Sequence, residues 1–262
     1  MLKISEKEDF EAREREVEAM VITWKAAIEK VPAGVQQDFR ARLMISIIYH
    51  DSALEGHVLN YSEIMAAIDT SIISDSSLIS YYEEITNFNT AFILALELAK
   101  QPTEVVINVD LLKQLYGVLN PEAKAQNYIY REANPLHRLY YHTIVPPPDV
   151  PAAMKKFNSW LSSDKFLDLA PIAKAAELHY RLMTIFPWLD HSGRLSRIVG
   201  MLILEQAGYP LAVLHSIDRQ SYYESLRSSD SVALNQLYLE AVEVTAKSSL
   251  QVYAEVMSLA GQ

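Results

Sequence analysis

Residues 171–204 read PIAKAAELHYRLMTIFPWLDHSGRLSRIVGMLIL, two apolar helical stretches on either side of a short polar turn. Pro171 stands where proline is best tolerated, at a helix start. Behind it Ile172, Ala175, Ala176, His179, Leu182, Met183 and Phe186 recur at helical spacing and share one broad face, the pattern of a largely buried helix. Pro187 should end that helix, because it lacks the amide donor and collides with the preceding turn. Trp188 and Leu189 are apolar and expected inside, Asp190-His-Ser-Gly193 makes the turn, and a second apolar helix runs from Leu195 to Gln206.

Outward from this pair the dominant period remains helical. Glu6–Glu29 is a charged helix with an apolar stripe at Phe10, Val17, Met20, Val21 and Trp24, closed by Pro32-Ala-Gly34. Asp38–Ile48 is a second helix that runs into Asp51-Ser-Ala-Leu-Glu-Gly-His57; Asn60–Ile68, Leu78–Lys100 and Asp110–Leu119 follow, the last capped by Asn108 or Asp110. Between 127 and 145 the texture changes. Tyr128, Tyr130, Tyr140, Tyr141 and Thr143 surround an Asn134-Pro135 break, the composition of a short β-hairpin, and Pro146-Pro-Pro148 with Pro151 reads as an extended linker. Helices resume over Ala152–Leu161, Arg219–Arg227 and Ser231–Leu259. The fold class is all-α with one small hairpin.

The chain carries 33 acidic against 23 basic residues, a formal charge of −10 over 262 residues, and no Lys/Arg-rich run, so nucleic acid and anionic membrane surfaces are disfavoured partners. There is no cysteine, which excludes disulfides, thiolate metal sites and a cysteine nucleophile. The first twenty residues alternate charge without an apolar core, unlike a signal peptide, and the longest apolar runs are too short to span a bilayer. A cytoplasmic location is expected.

The turn at 186–197 carries the chemistry. A helix amino terminus presents unpaired backbone N–H groups and the positive end of the dipole, an anion site before any side chain is counted. Arg194 and Arg197, three residues apart, add two guanidiniums on nearly one face, suited to phosphate oxygens. Cations there oppose the dipole, so the placement costs stability unless an anion binds. Asp190 is expected as a Mg²⁺ ligand bridging phosphates or as the helix N-cap. The bland alternative is a capped helix whose arginines pair with acidic neighbours.

Phe186-Pro-Trp-Leu-Asp-His-Ser-Gly-Arg-Leu-Ser-Arg197 resembles the signature of the Fic (Fido) family, H-x-F-x-[DE]-G-N-G-R-x-x-R. The likeness extends to His179, seven residues ahead; to Leu204-Glu-Gln-Ala-Gly-Tyr-Pro210; to Tyr130-Arg131 through Pro146-Pro-Pro148, like the family's flap hairpin and proline linker; and to Ser52-Ala-Leu-Glu-Gly56. It implies an N-terminal helical region over residues 1–105 and a Fic-like core over 106–262. It also implies AMP transfer from ATP to a hydroxyl of a target protein. In that scheme a histidine deprotonates the hydroxyl, an acidic residue holds Mg²⁺, a glycine-rich turn cradles phosphates, and the flap aligns the target by strand addition. A homodimer is a further expected assembly.

By that resemblance Asp190 is the metal ligand, and His191, Ser192, Gly193, Arg194 and Arg197 surround the phosphates. Phe186 stands where the catalytic histidine belongs, Trp188 replaces phenylalanine, and His191-Ser192 replaces glycine-asparagine. A phenyl ring accepts no proton, and general base catalysis contributes about 10²–10⁴-fold. His191 is a weak substitute, since it projects from a different origin; His179 reads as a buried structural histidine. A glycine at 191 would permit positive φ and close approach to phosphate. Glu55-Gly56 fits the end of the family's inhibitory pattern [ST]-x-x-x-E-[GN], with Asp51 where Ser or Thr is expected, so Glu55 should pair with Arg197, as an autoinhibitory lock or a structural ion pair. Three functions follow: a degenerate domain that binds nucleotide or phosphate with little or no transfer, an active adenylyltransferase using another base, or a non-catalytic helical interaction module. The flap tyrosines would serve the last, unless they are ordinary packing.

Overall fold

The computed structural model describes residues 4–69, 79–135 and 142–260, and over these the chain forms α-helices with two short 3-10 turns and no strand. The helices are α1 (Ile4–Ile28), α2 (Ala33–Glu55), α3 (Tyr61–Ile68), α4 (Ile79–Ala99), α5 (Val109–Leu119) and α6 (Pro121–Ala125). They continue as α7 (Val150–Leu161), α8 (Asp164–Leu167), α9 (Pro171–Ile185), α10 (Ser192–Gln206), α11 (Arg219–Arg227) and α12 (Val232–Ala260). No helix among the described residues is long and apolar enough to cross a membrane.

The centre is α10. Every residue from Ser192 to Leu204 is buried, because α9 covers one side, α4 another and α5 a third. A helix apolar around its whole circumference belongs inside, and Leu195, Ile198, Val199, Leu202 and Leu204 are wholly enclosed. α12 packs on α9 and carries α1 on its outer side, where the α1 stripe closes down on Val17 and Val21. α2 reaches α3, α4 and α12, which brings its carboxy-terminal end to the start of α10.

Local chemistry sets most of the boundaries. Asn60 and Glu63 form a reciprocal capping box at α3, and the Asn108 side chain accepts the Leu111 amide at 2.9 Å as the cap of α5. α2 is longer than expected at both ends. Pro32 launches it at Ala33, and nothing in 49–55 breaks it until Gly56, whose φ of 103° allows the left-handed cap that returns Gly56 and His57 amides to Ala53 and Ser52. Asp51 and Glu55 are therefore consecutive-turn positions of one helix. α10 begins at Ser192 rather than Leu195, so Ser192 and Gly193 belong to its first turn. The proline segment is a 3-10 turn (Pro147–Asp149) feeding α7, with Pro151 in the helix's first turn, not an extended linker.

The expected β-hairpin over 127–145 is not borne out: residues 127–135 and 142–145 form no strand, and its tip, 136–141 with Tyr140 and Tyr141, lies outside the described residues. The two flanks spend their backbone groups on the end of α9 instead of on each other. Arg131 N donates to Pro187 O at 3.0 Å and Val145 N to Thr184 O at 3.0 Å. Between them the buried Arg131 guanidinium donates to Phe186 O at 2.6 Å, to Ile185 O at 3.3 Å, to Asn134 Oδ1 at 2.6 Å and to Val145 O. A cation on the last carbonyls of a helix also complements its dipole.

Arg131→Met should leave several of these buried carbonyls without a donor and cost about 3 kcal/mol, read as a lowered midpoint in urea unfolding. Arg131→Lys should recover only part of it, since one ammonium cannot span both flanks and the helix end.

Candidate functional site

The loop between α9 and α10 is bracketed by two left-handed, non-glycine residues, Phe186 at φ 49° and His191 at φ 59°. Such conformations cost about 1–3 kcal/mol each and persist only where the surroundings enforce them. Phe186 is enforced from three sides. Its amide donates to Leu182 O at 2.7 Å, its carbonyl accepts from Arg131, and its ring is fully buried in an edge-type contact with His142, the ring centroids 6.3 Å apart. Trp188, also buried, stacks on Tyr116 at 4.1 Å and has Tyr130 tilted against it. Tyr128 and Tyr130 are thus half-buried packing residues, the Tyr128 ring filling the space over Gly117.

His191 is the N-cap of α10 but makes no side-chain cap hydrogen bond. The cap expectation for Asp190 is therefore overturned: the carboxylate sits one residue too early, exposed to solvent. Ser192 also departs from expectation, because its hydroxyl turns inward and donates to Trp188 O at 3.0 Å, wholly buried rather than facing an anion. Gly193 is helical, and its missing side chain has another use. A Cβ there would lie 2.8 Å from Glu55 Oε1 and 3.2 Å from Arg197 Nη1, so glycine lets the Glu55 carboxylate reach the amino end of α10.

Arg194 and Arg197, themselves buried, project from the first two turns of α10 into a nest of acids that is enclosed on the α2 side and partly exposed at Glu84. Asp51 of α2 lies between them, Oδ2 at 3.0 Å from Arg194 Nε and Oδ1 at 2.6 Å from Arg197 Nε. Glu84 of α4 takes Arg194 Nη1 at 2.8 Å, Glu55 takes Arg197 Nη2 at 2.7 Å, and the Tyr222 hydroxyl accepts from Arg197 Nη1 at 3.3 Å. Burial opposes both guanidinium charges, but Asp51, Glu55 and their neighbours outweigh it and raise both pKa values further. The Glu55–Arg197 pair expected from the sequence is present. Asp51, Glu84 and Tyr222 were not anticipated as partners. Asp51 was legible in principle, lying four residues before Glu55 on the same helical face; Glu84 and Tyr222 come from α4 and α11, which no local pattern ties to the loop.

His191 reaches back toward this pair, its Nδ1 3.5 Å from Arg194 Nη1, and burial first, then Arg194, lowers its pKa. His179 is entirely enclosed, hydrogen-bonded to Tyr238 at 2.8 Å and Tyr222 at 3.0 Å, the structural histidine that was expected. Through Tyr222 it backs Arg197. Among the described residues no group of three or more His, Asp or Glu side chains is placed to hold a metal; Asp190, the expected metal ligand, faces solvent beside the loop.

Residues 106–204 match the Fic/DOC family. The protein adenylyltransferase Fic of Drosophila mojavensis is 28% identical over 189 residues, 69% of this chain and 35% of that protein, and the one from Nematostella vectensis is 29% identical over 204 residues, 76% of this chain and 47% of that protein. The chain therefore spans about a third of the length of the Drosophila relatives it matches. Among solved structures, a Fic domain containing signaling protein from Bacteroides thetaiotaomicron superposes with a TM-score of 0.75 at 20% identity, covering 90% of this chain and 95% of that one. Fic-1 from C. elegans superposes at 0.73 with 21% identity, covering 92% and 71%. These likenesses establish the helical fold.

Two outcomes follow from this geometry. Burial, then Arg197 and His142, hold His179 well below its ordinary 6.5, so it is neutral in the fold and takes a proton in the unfolded chain below that pH. Stability should fall as pH drops from 6.5, by up to about 1.4 kcal/mol per pH unit from this group, in chemical denaturation at stepped pH; His179→Gln should flatten the slope. Gly193→Ala should push Glu55 off Arg197 and cost about 1–3 kcal/mol, whereas Ala at exposed Gly34 should be neutral or stabilising.

Proposed function

We propose that this protein, a member of the Fic/DOC family through residues 106–204, is a degenerate Fic domain that binds the phosphates of a nucleotide at the start of α10 and performs little or no AMP transfer. The observation that carries the reading is the pair of buried guanidiniums on one face of a helix amino terminus, beside a glycine. Such a site calls for an anion, and here α2 and α4 supply carboxylates to it. A nucleotide must displace them, so binding is conditional. In this reading residues 1–105 regulate and residues 106–262 form the core that binds.

ATP and Mg²⁺ fit the residues present only in part. Arg194, Arg197 and the α10 amides would hold phosphate oxygens, and Asp190 would supply one ligand to a Mg²⁺ that keeps several waters. The bound nucleotide would bring a transferable AMP with pyrophosphate as leaving group. What this chain lacks is a proton acceptor at 186, where the phenyl ring is 0% exposed and part of the core. Base catalysis contributes about 10²–10⁴-fold, so transfer without it is slow. An active adenylyltransferase is favoured by one observation: His191 lies beside Arg194 and is held neutral by burial, the form that accepts a proton. A target protein docking along 127–145 and a second copy of the chain are the partners this reading carries.

Raising ATP·Mg²⁺ to about ten times its dissociation constant should stabilise the protein by about 1.4 kcal/mol, and Arg194→Ala should erase the thermal shift. With labelled ATP the wild type should give almost no modified protein. Phe186→His should gain about 10²–10⁴-fold. No shift in the wild type, and no label in Phe186→His, would leave the helical interaction module as the function.

A further inference from the structure

The carboxy-terminal end of α10 lines a separate cavity of about 500 Å³, within the range of about 300–1,000 Å³ that small-molecule sites occupy. Ile203, Gln206 and Ala207 of its wall lie about two to three turns beyond Arg197. Leu161 at the end of α7, Phe166 of α8 and Ile203 are buried and supply an apolar lining. Another wall is the chain between α4 and α5. It runs without helix or turn over 104–107, since Asn108 is extended where it caps α5. Successive side chains of an extended segment point opposite ways, so Ile107 is buried while Val106 is 70% exposed. Gln206 Nε2 ties this segment to α10 through Val105 O at 3.4 Å. Val106 and Leu167, the latter 54% exposed, carry the apolar lining out to solvent.

Charge on this wall is sparse. Lys174, in the first turn of α9, donates from Nζ to Leu167 O at 2.8 Å and lies over the Phe166 ring, 5.4 Å from its centroid. Among the described residues no carboxylate pairs with it. A carbonyl takes one of the three N–H donors of an ammonium, and a cation in the first turn of a helix opposes the dipole. The α9 cap, Ala170, brings no side-chain hydrogen bond to that end. The Lys174 ammonium is therefore pinned at an apolar cavity with its charge unanswered. Glu104, exposed on the extended segment, is the one acid on the wall among the described residues.

We infer that this cavity binds a small monocarboxylic acid with an apolar body, its carboxylate on Lys174 Nζ and its body against Leu161, Phe166 and Ile203. The lining decides the class. An uncharged hydrocarbon leaves the ammonium unanswered, whereas a phosphate or a dicarboxylate brings charge that Glu104 repels and apolar side chains cannot solvate. The site is independent of phosphate binding at the amino end of α10.

Anilinonaphthalene sulfonate, an apolar monoanion that fluoresces when its rings leave water, is the probe, used on the full chain. The wild type should enhance its emission and octanoate should displace it. Octanol should need about ten times the concentration, the factor carried by one charge-assisted hydrogen bond. Lys174→Met should weaken octanoate about tenfold and leave octanol unchanged. Ala207→Phe, which fills the cavity from the end of α10, should abolish displacement by both. If that variant does not fold, Val106→Trp should cover the mouth from an exposed position to the same effect. Circular dichroism and thermal melting establish that each variant is folded, since the probe also binds loosened cores. ATP·Mg²⁺ should leave the probe in place. Equal potency of octanoate and octanol in the wild type overturns the acid assignment. Octanoate that fails to displace the probe, displacement undiminished in a folded cavity-blocking variant, or displacement by ATP·Mg²⁺ overturns the site.

Discussion

Two guanidinium groups at the amino end of a fully buried helix are opposed by the helix dipole, by each other and by loss of water, and the carboxylate of Asp51 relieves all three at once. It sits between Arg194 and Arg197 with an oxygen for each, so the repelling pair becomes a bridged triad. A buried ion pair of this kind is poor evidence of net stability, because desolvation offsets most of the attraction; removing one member is what costs heavily, about 3–5 kcal/mol. That asymmetry fixes where α2 must end. Its last turns cannot drift from α10 without stranding charge, and the long unbroken run of α2 up to the Gly56 cap is what delivers Asp51 and Glu55 to the same place.

A third arginine organises the other end of the loop by different means. Arg131 meets the carbonyls of Ile185 and Phe186 at the end of α9, and the Val145 carbonyl and Asn134 amide oxygen on the flanks, in place of carboxylates. Burial alone lowers its pKa. Because this guanidinium ties residues 131 and 145 to 185–186, the two flanks are held to the helix end and do not pair as strands. The loop is thus clamped at both ends, by carbonyls where it leaves α9 and by carboxylates where it enters α10, and both left-handed residues, Phe186 and His191, sit at those clamps.

The clamps divide the loop chemically. Phe186 and Trp188 belong to the core, packed against His142 and Tyr116. Gly193, Arg194 and Arg197 face the acids of α2 and α4. Phenylalanine at 186 is therefore more than an absent base, since its ring fills a buried position and its carbonyl anchors Arg131. His179, Tyr222 and Tyr238 form a neutral hydrogen-bonded chain behind Arg197, which supports that guanidinium without competing for its charge.

Much of this was legible in the residues. Pro171, Pro187, Asn60 and Asn108 act within a turn or two of themselves, so the helix starts and stops they dictate can be read locally, whereas the stop at Gly56 lies beyond Ile48, where α2 was expected to end. The all-helical class and the burial of the α9–α10 pair likewise follow from apolar spacing, and the likeness at 186–197 marked the loop itself. The tertiary structure decided what the charged and ambiguous residues do there. Tyrosines and a proline break between 127 and 145 satisfy a hairpin pattern, but a strand needs a partner, and Arg131 gave those flanks to the end of α9. The Ser192 hydroxyl goes to a carbonyl four residues back, a pairing that no local pattern announces. Two arginines at a helix amino terminus announce that an anion is required, yet not which one; Asp51 and Glu84, more than a hundred residues away, supply it, because long-range charge pairing leaves no periodic trace in a chain.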